Sequence, residues 1–151
     1  MAETPDTPFW KAARGEIPAP PSAALLGWKV LEAVPGSGRI RIQFTATAQF
    51  TNVVGNVQGG FLAAMLDDTL GPALVTLLEP YEFCPTLEMK VSYLRAARPG
   101  RLIGEGRVVH RGKAIGFLEG HLLNQRDEIV ATATSTVRIQ QLPPDAFSSR
   151  S

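Results

Sequence analysis

Over residues 39–44 the chain alternates: Ile40, Ile42 and Phe44 are apolar, while Arg39, Arg41 and Gln43 are polar. A period of two is what a strand with one buried face needs. Residues 28–34 lie just before it, across Pro35-Gly36-Ser37-Gly38, so the two segments predict a hairpin. The period then lengthens. Over residues 59–78, Phe61, Leu62, Met65, Leu66, Thr69 and Leu70 recur at helical spacing, which predicts the only long helix. Pro72 falls inside that run and is expected to kink it or loosen its second half, because the ring clashes with the preceding turn. Pro80 ends it. The period of two then returns: in residues 86–94, Leu87, Met89, Val91 and Tyr93 alternate with Glu88, Lys90 and Ser92. Residues 101–110 and 114–124 flank the tight turn Arg111-Gly112-Lys113, and residues 129–139 follow a second turn at 125–128. One helix among so many strands covers one sheet. The economical solution is an α+β fold, a single curved antiparallel sheet wrapped around the helix.

The two ends are patterned differently. Prolines crowd residues 1–22, which read as an arm with a short helix around 9–14, docked by Phe9 and Trp10. Residues 23–140 form the domain, and 141–151, with Pro143-Pro144 and three serines, form a frayed tail. A length of 151 residues suits one core. The formal net charge of +1 calls for neither nucleic acid nor an acidic membrane surface. One cysteine, Cys84, leaves no internal disulfide, and the start lacks the basic and apolar segments of a secretory signal. No apolar run approaches the roughly 20 residues of a membrane helix. The expected location is cytoplasmic. Two histidines and one cysteine far apart make no metal-ligand cluster.

The most informative stretch is Asn52-Val-Val-Gly-Asn-Val-Gln-Gly-Gly-Phe-Leu-Ala-Ala-Met-Leu-Asp67. It resembles the acyl-CoA thioesterases of the phenylacetic acid degradation (PaaI) type, within the hot-dog superfamily. Their pattern is an Asn, a Gly three residues on, then His-Gly-Gly, then an Asp nine residues after that His. Asn52, Gly55, Gly59, Gly60 and Asp67 fall in register. Thr86-Leu-Glu-Met-Lys-Val-Ser-Tyr-Leu-Arg95, Pro99-Gly100 and Val130-Ala-Thr-Ala133 match downstream, so the resemblance spans roughly residues 25–139. One position departs: Gln58 stands where the family has His. A glutamine donates hydrogen bonds but carries no proton near neutral pH.

The resemblance implies a hot-dog fold and hydrolysis of an aromatic or medium-chain acyl-CoA to free acid and coenzyme A. It implies no cofactor beyond the coenzyme A of the substrate, and sites at subunit boundaries in a homodimer or homotetramer. Asp67 is then the carboxylate that activates water or attacks directly. A helix opening on Gly-Gly offers free amides and the positive end of the dipole, so Gly59 is assigned the oxyanion contact, with Gly60 beside it for close approach of substrate. Gln58 would hold the acyl carbonyl as a neutral donor. Asn52 would orient substrate or water, or else close its own loop. Thr86 aligns with a hydroxyl near the attacking water, or is a plain strand residue. The neighbours of Asp67 one turn away are small or apolar: Ala63, Ala64, Leu70 and Gly71. That places its carboxylate in a half-buried position or at a subunit boundary. Asp68 points about 100° away around the helix.

Six basic residues and one acid, Glu105, lie between Arg95 and Lys113. Singly each is a solvated sheet residue; as a group they offer charge for coenzyme A phosphates. Arg95, Arg111 and Lys113 are the nominated contacts, the last two because a turn tip reaches a neighbouring subunit's ligand. Glu119 and His121 share a strand face and read as edge or interface polar groups. A non-catalytic acyl-CoA-binding or regulatory hot-dog protein is the alternative that Gln58 raises. A hot-dog dehydratase would want a His at the helix entrance, and a nucleic-acid module would want aromatics among the arginines; both are absent.

Overall fold

The computed structural model describes residues 3–147. In chain order the elements are α1 (Pro8–Ala13), α2 (Pro21–Leu25), β1 (Lys29–Ala33), β2 (Arg39–Ala46), α3 (Gly59–Val75), β3 (Glu82–Phe83), β4 (Thr86–Tyr93), β5 (Gly100–Arg111), β6 (Ile115–Leu123), β7 (Ile129–Arg138) and β8 (Gln140–Gln141). A six-stranded antiparallel sheet runs in the order β1-β2-β5-β6-β7-β4 and carries α3 on one face, while β3 and β8 pair separately. This is the α+β architecture expected from the hydrophobic pattern.

The side chains of α3 explain why it sits there. Leu62, Met65, Leu66, Thr69, Leu70, Ala73 and Leu74 are buried. They meet Ile42, Phe44, Leu102, Leu118, Leu122, Val130 and Val137 in one core. Helix and sheet approach closely because β5 and β6 carry glycines under the helix. A Cβ on Gly104 would collide with the Thr69 hydroxyl, and one on Gly120 with the Leu70 side chain and the Glu105 backbone carbonyl. Neither position has room for a larger residue.

Several expectations are corrected. Pro72 does not split α3, which runs unbroken for 17 residues and stops at Val75 rather than Leu78. The residues after the proline, Ala73 and Leu74, are fully buried, and that packing outweighs the one lost hydrogen bond. The apolar alternation in β4 holds only in part. Met89 and Val91 are half-buried, whereas Leu87 and Tyr93 are about half exposed. β4 is an edge strand, and its register shifts between Thr86 and Glu88. β6 is an interior strand, so Glu119 and His121 lie on the open face of the sheet and not at an edge. There Glu119 accepts from Arg107 at 2.6 Å, and His121 meets Glu105 at 3.4 Å. The proline-rich start holds a second short helix, α2, because Pro21 takes a first-turn position where no amide donor is needed. Trp10 is buried and Phe9 meets Trp28 edge-on at 6.2 Å, which docks the arm. Of the tail, residues 148–151 lie outside the described residues, and Gln141 belongs to β8.

Candidate active site

The helix start is built by its own residues and one visitor. Gln58 is the N-cap of α3, and its side-chain Oε1 accepts from the Gly60 N–H at 2.8 Å. The preceding loop is closed by Asn52, whose Oδ1 accepts from Val54 N at 3.1 Å and Asn56 N at 3.2 Å. Gly55 sits at φ 81° in that loop, a conformation that favours glycine. The Gly59 N–H belongs to the unpaired first turn and takes no hydrogen bond among the described residues. Gly59 also borders a cleft of about 320 Å3, together with Asn52, Leu62, Tyr93 and Arg95. A free amide at the positive end of a 17-residue helix, on a residue that borders a cleft, is a ready donor to a developing oxyanion.

Asp67 forms a second centre. Its Oδ1 accepts from the Thr86 hydroxyl at 2.8 Å, across the gap between α3 and β4. Both residues are exposed, and the other carboxylate oxygen makes no hydrogen bond among the described residues. Gly60, Ala64, Asp67 and Gly71 share one face of the helix, with a carboxylate as the single large group. The half-buried carboxylate of the pair is Asp68. Burial, and secondarily the charge of Asp67, pushes Asp68 up from 3.8 to about 7. Its Oδ2 is buried without a hydrogen-bond partner. Cys84, packed nearby, is pushed up to about 11 by burial and the charges of Asp67 and Glu82, so its thiol stays protonated and is no nucleophile near neutral pH.

The raised value of Asp68 makes stability depend on pH. The folded state favours the protonated acid, so this group's contribution is fully present below about 3.8 and is lost as pH rises through about 7. Asp68→Asn, neutral at every pH, should therefore raise the melting temperature at pH 8, by a gain on the order of 2 kcal/mol. The gain should vanish near pH 4. Melting curves of parent and variant at the two values check this, and an equal shift at both would show that the carboxyl is not the cause.

The nominated coenzyme A contacts are separated by the structure. Arg95 lines the cleft, but it donates to the Ile129 carbonyl at 2.8 Å and pairs with Glu128 at 3.5 Å. Arg111 donates to Glu82 at 2.7 Å, which binds the end of β5 to β3. Lys113 is exposed at the β5–β6 turn. The structure thus joins Asp67 with Thr86, and Gln58 with Gly60, and gathers Gly59, Asn52 and Arg95 around the cleft. It does not join Asp67 to Gly59. Eight residues of helix separate them, a rise of about 12 Å. Tyr93 was read from the sequence only as an alternating strand position, yet it reaches the helix start: its hydroxyl donates to the Gly59 carbonyl at 2.9 Å. A larger groove, about 670 Å3, opens on the sheet face away from α3, but none of the nominated catalytic or coenzyme A-binding residues lines it. Its walls include the Arg107–Glu119 and Arg41–Glu105 pairs. Among the described residues no cluster of His, Cys, Asp and Glu is placed to hold a metal, and no helix is long and apolar enough to cross a membrane.

Residues 54–131 match the family model of the thioesterase superfamily. No curated protein matches the chain. Among solved structures, a phenylacetic acid degradation-related protein of Ralstonia eutropha JMP134 is 38% identical, with a TM-score of 0.81 over 86% of this chain and 98% of that one. The PaaI protein of E. coli, at 21% identity and TM-score 0.75, shares the fold over 89% of this chain and 93% of its own. So does a thioesterase family protein of Silicibacter pomeroyi, at 24% identity and TM-score 0.77, covering 87% and 98%. The chain belongs to the thioesterase superfamily, among the hot-dog thioesterases of the phenylacetic acid degradation type.

Proposed function

We propose that this chain is a cytoplasmic acyl-CoA thioesterase, acting on aromatic or medium-chain acyl groups as a homodimer or a tetramer built from such dimers. The observation that carries it is the pairing of two half-sites on one helix: a free Gly59 amide beside a cleft, and an Asp67 carboxylate held by Thr86. An oxyanion donor and a base must each lie within about 3–3.5 Å of the reacting atoms. A rise of about 12 Å along α3 between them supports a site shared between two chains. A second copy, its α3 antiparallel to the first, brings its Gly59 to this Asp67 and completes two equal sites. Two features fit such a partner. The helix face around Asp67 is otherwise small, so another backbone can approach. The edge strand β4 has one unpaired side and shows bare Leu87 and Tyr93.

In that site the Gly59 N–H polarises the thioester carbonyl. Water approaches the free oxygen of Asp67, which takes its proton as the hydroxide attacks the carbonyl carbon. Thr86 fixes the carboxylate by donating to the other oxygen. The tetrahedral oxyanion is held by the amide as the C–S bond breaks, and the thiolate of coenzyme A leaves. Small side chains along α3 leave the pocket's apolar lining to Leu62 and its neighbours, which suits an aryl or aliphatic chain. Arg95, Arg111 and Lys113 provide positive charge for the nucleotide phosphates; Lys113 alone of these has no ion pair among the described residues.

The test is a screen of purified protein against acyl-CoA thioesters with a free-thiol readout, read with Lys113→Ala alongside. Turnover is expected for aryl or medium-chain thioesters. Lys113→Ala should raise KM a few-fold with little change in kcat, because phosphate contacts are remote from the breaking bond. A truncated thioester lacking the nucleotide should not respond. Tight acyl-CoA binding without thiol release would place the protein instead with non-catalytic acyl-CoA binders, the alternative raised by Gln58.

A further inference from the structure

The Gly59–Gly60 peptide is held from both sides. Its N–H, on Gly60, donates to Gln58 Oε1 at 2.8 Å, and its C=O, on Gly59, accepts from Tyr93 Oη at 2.9 Å. The Tyr93 ring also lies flush against Gly59: a Cβ there would sit 3.1 Å from Cζ. At a helix start the carbonyls accept from the next turn, but the first N–H groups have no partner within the helix. Here one residue from the cap and one from β4, 34 positions later in the chain, add a hydrogen bond on each side of it. The next amide back, Gly59 N–H, shares the Gly59 Cα with this plane, and Gly59 lines the cleft.

We propose that Tyr93 is a positioning residue of the thioesterase site, its hydroxyl clamping the first peptide of α3 so that the Gly59 N–H stays aimed at the substrate carbonyl. Gln58 is the other jaw of the clamp. Its oxygen is engaged with Gly60, so its role toward substrate falls to the Nε2 group alone. This rests on the thioesterase reading for its consequence, though the clamp itself does not. An amide held in place loses no energy to reorientation as negative charge builds on the carbonyl oxygen, so the benefit appears in the transition state and not in ground-state binding. Tyr93 is about half exposed and lies on the edge strand, so deleting its hydroxyl removes little from the core.

Tyr93→Phe keeps the ring against Gly59 and deletes only the hydroxyl. The expected kinetic result is a threefold to tenfold fall in kcat, roughly one hydrogen bond, with KM within about twofold of parent. A second readout needs no substrate. Losing the donor on the Gly59 carbonyl should shift the Gly60 15N resonance and speed exchange of its N–H several-fold, while Gly36 and Gly112, in distant turns, stay put. Tyr93→Leu, which also removes the ring, should show the same NMR changes at least as strongly. Parental Gly60 resonance and exchange in Tyr93→Phe would overturn the clamp. So would the NMR changes with kcat unaltered, since the clamp would then not reach the chemistry. If the parent hydrolyses no thioester, the thioesterase reading fails by itself, and a Gly60 unmoved by Tyr93→Phe still decides against the clamp independently.

Discussion

Asp67→Asn should lower kcat by about 10²–10⁴-fold, the usual cost of losing a general base, while substrate binding and melting temperature stay near parental. The substitution is nearly isosteric, and the amide oxygen can still accept from the Thr86 hydroxyl, so the geometry of the pair survives. Because Asp67 is exposed, its charge carries little of the fold. A fall in kcat without a rise in KM would identify an interaction made in the transition state only. The neighbour Asp68 supplies the internal control. It is half-buried and raised to about 7, so it looks like the better base by titration alone. Yet its Oδ2 is enclosed without a partner, and no hydroxyl orients it among the described residues. Near-parental turnover in Asp67→Asn with loss in Asp68→Asn would transfer the catalytic role one residue along the helix.

The site was legible where it depends on spacing along one element, and illegible where it depends on which strands become neighbours. The Asn-Gly-Gln-Gly-Gly-Asp register places Gly59 and Asp67 on α3 directly. Thr86 was nominated by resemblance, and its contact with Asp67 exists because β4 crosses to the far edge beside β7. Chain order gives no hint of that crossing. Tyr93 is hidden for the same reason, since a tyrosine in an alternating strand reads as one more apolar position until the edge turns it toward the helix start. The alternation itself misled at Leu87 and Tyr93, because pattern marks a face without saying whether it is covered. For the basic residues, composition exposed an excess of charge between Arg95 and Lys113, but not the partners, Glu82 and Glu128, that lie outside that window in sequence. At Pro72 the local rule predicts a possible split that α3 does not show, because buried residues on both sides of the proline hold the helix together.

A mixture of two inactive variants should recover activity, and this is the sharpest consequence of a shared site. Gly59→Val would block the oxyanion half: its side chain meets the Tyr93 ring, where even a Cβ is already at 3.1 Å. Asp67→Asn disables the other half. If each site takes Gly59 from one chain and Asp67 from the other, a heterodimer of the two variants holds one doubly damaged site and one intact site. Random re-assortment makes about half the dimers heterodimers, so about a quarter of all sites should be intact. Activity should therefore rise from near zero to about a quarter of parental, at least tenfold above either variant alone, after the chains are unfolded and refolded together. Mixing without exchange of chains should give no gain. A re-assorted mixture that stays as inactive as its components, while heterodimers are demonstrated by differential tagging, would mean that Gly59 and Asp67 act within one chain. The distance of about 12 Å along α3 speaks against that outcome, because no thioester carbonyl can touch both ends of two helical turns at once.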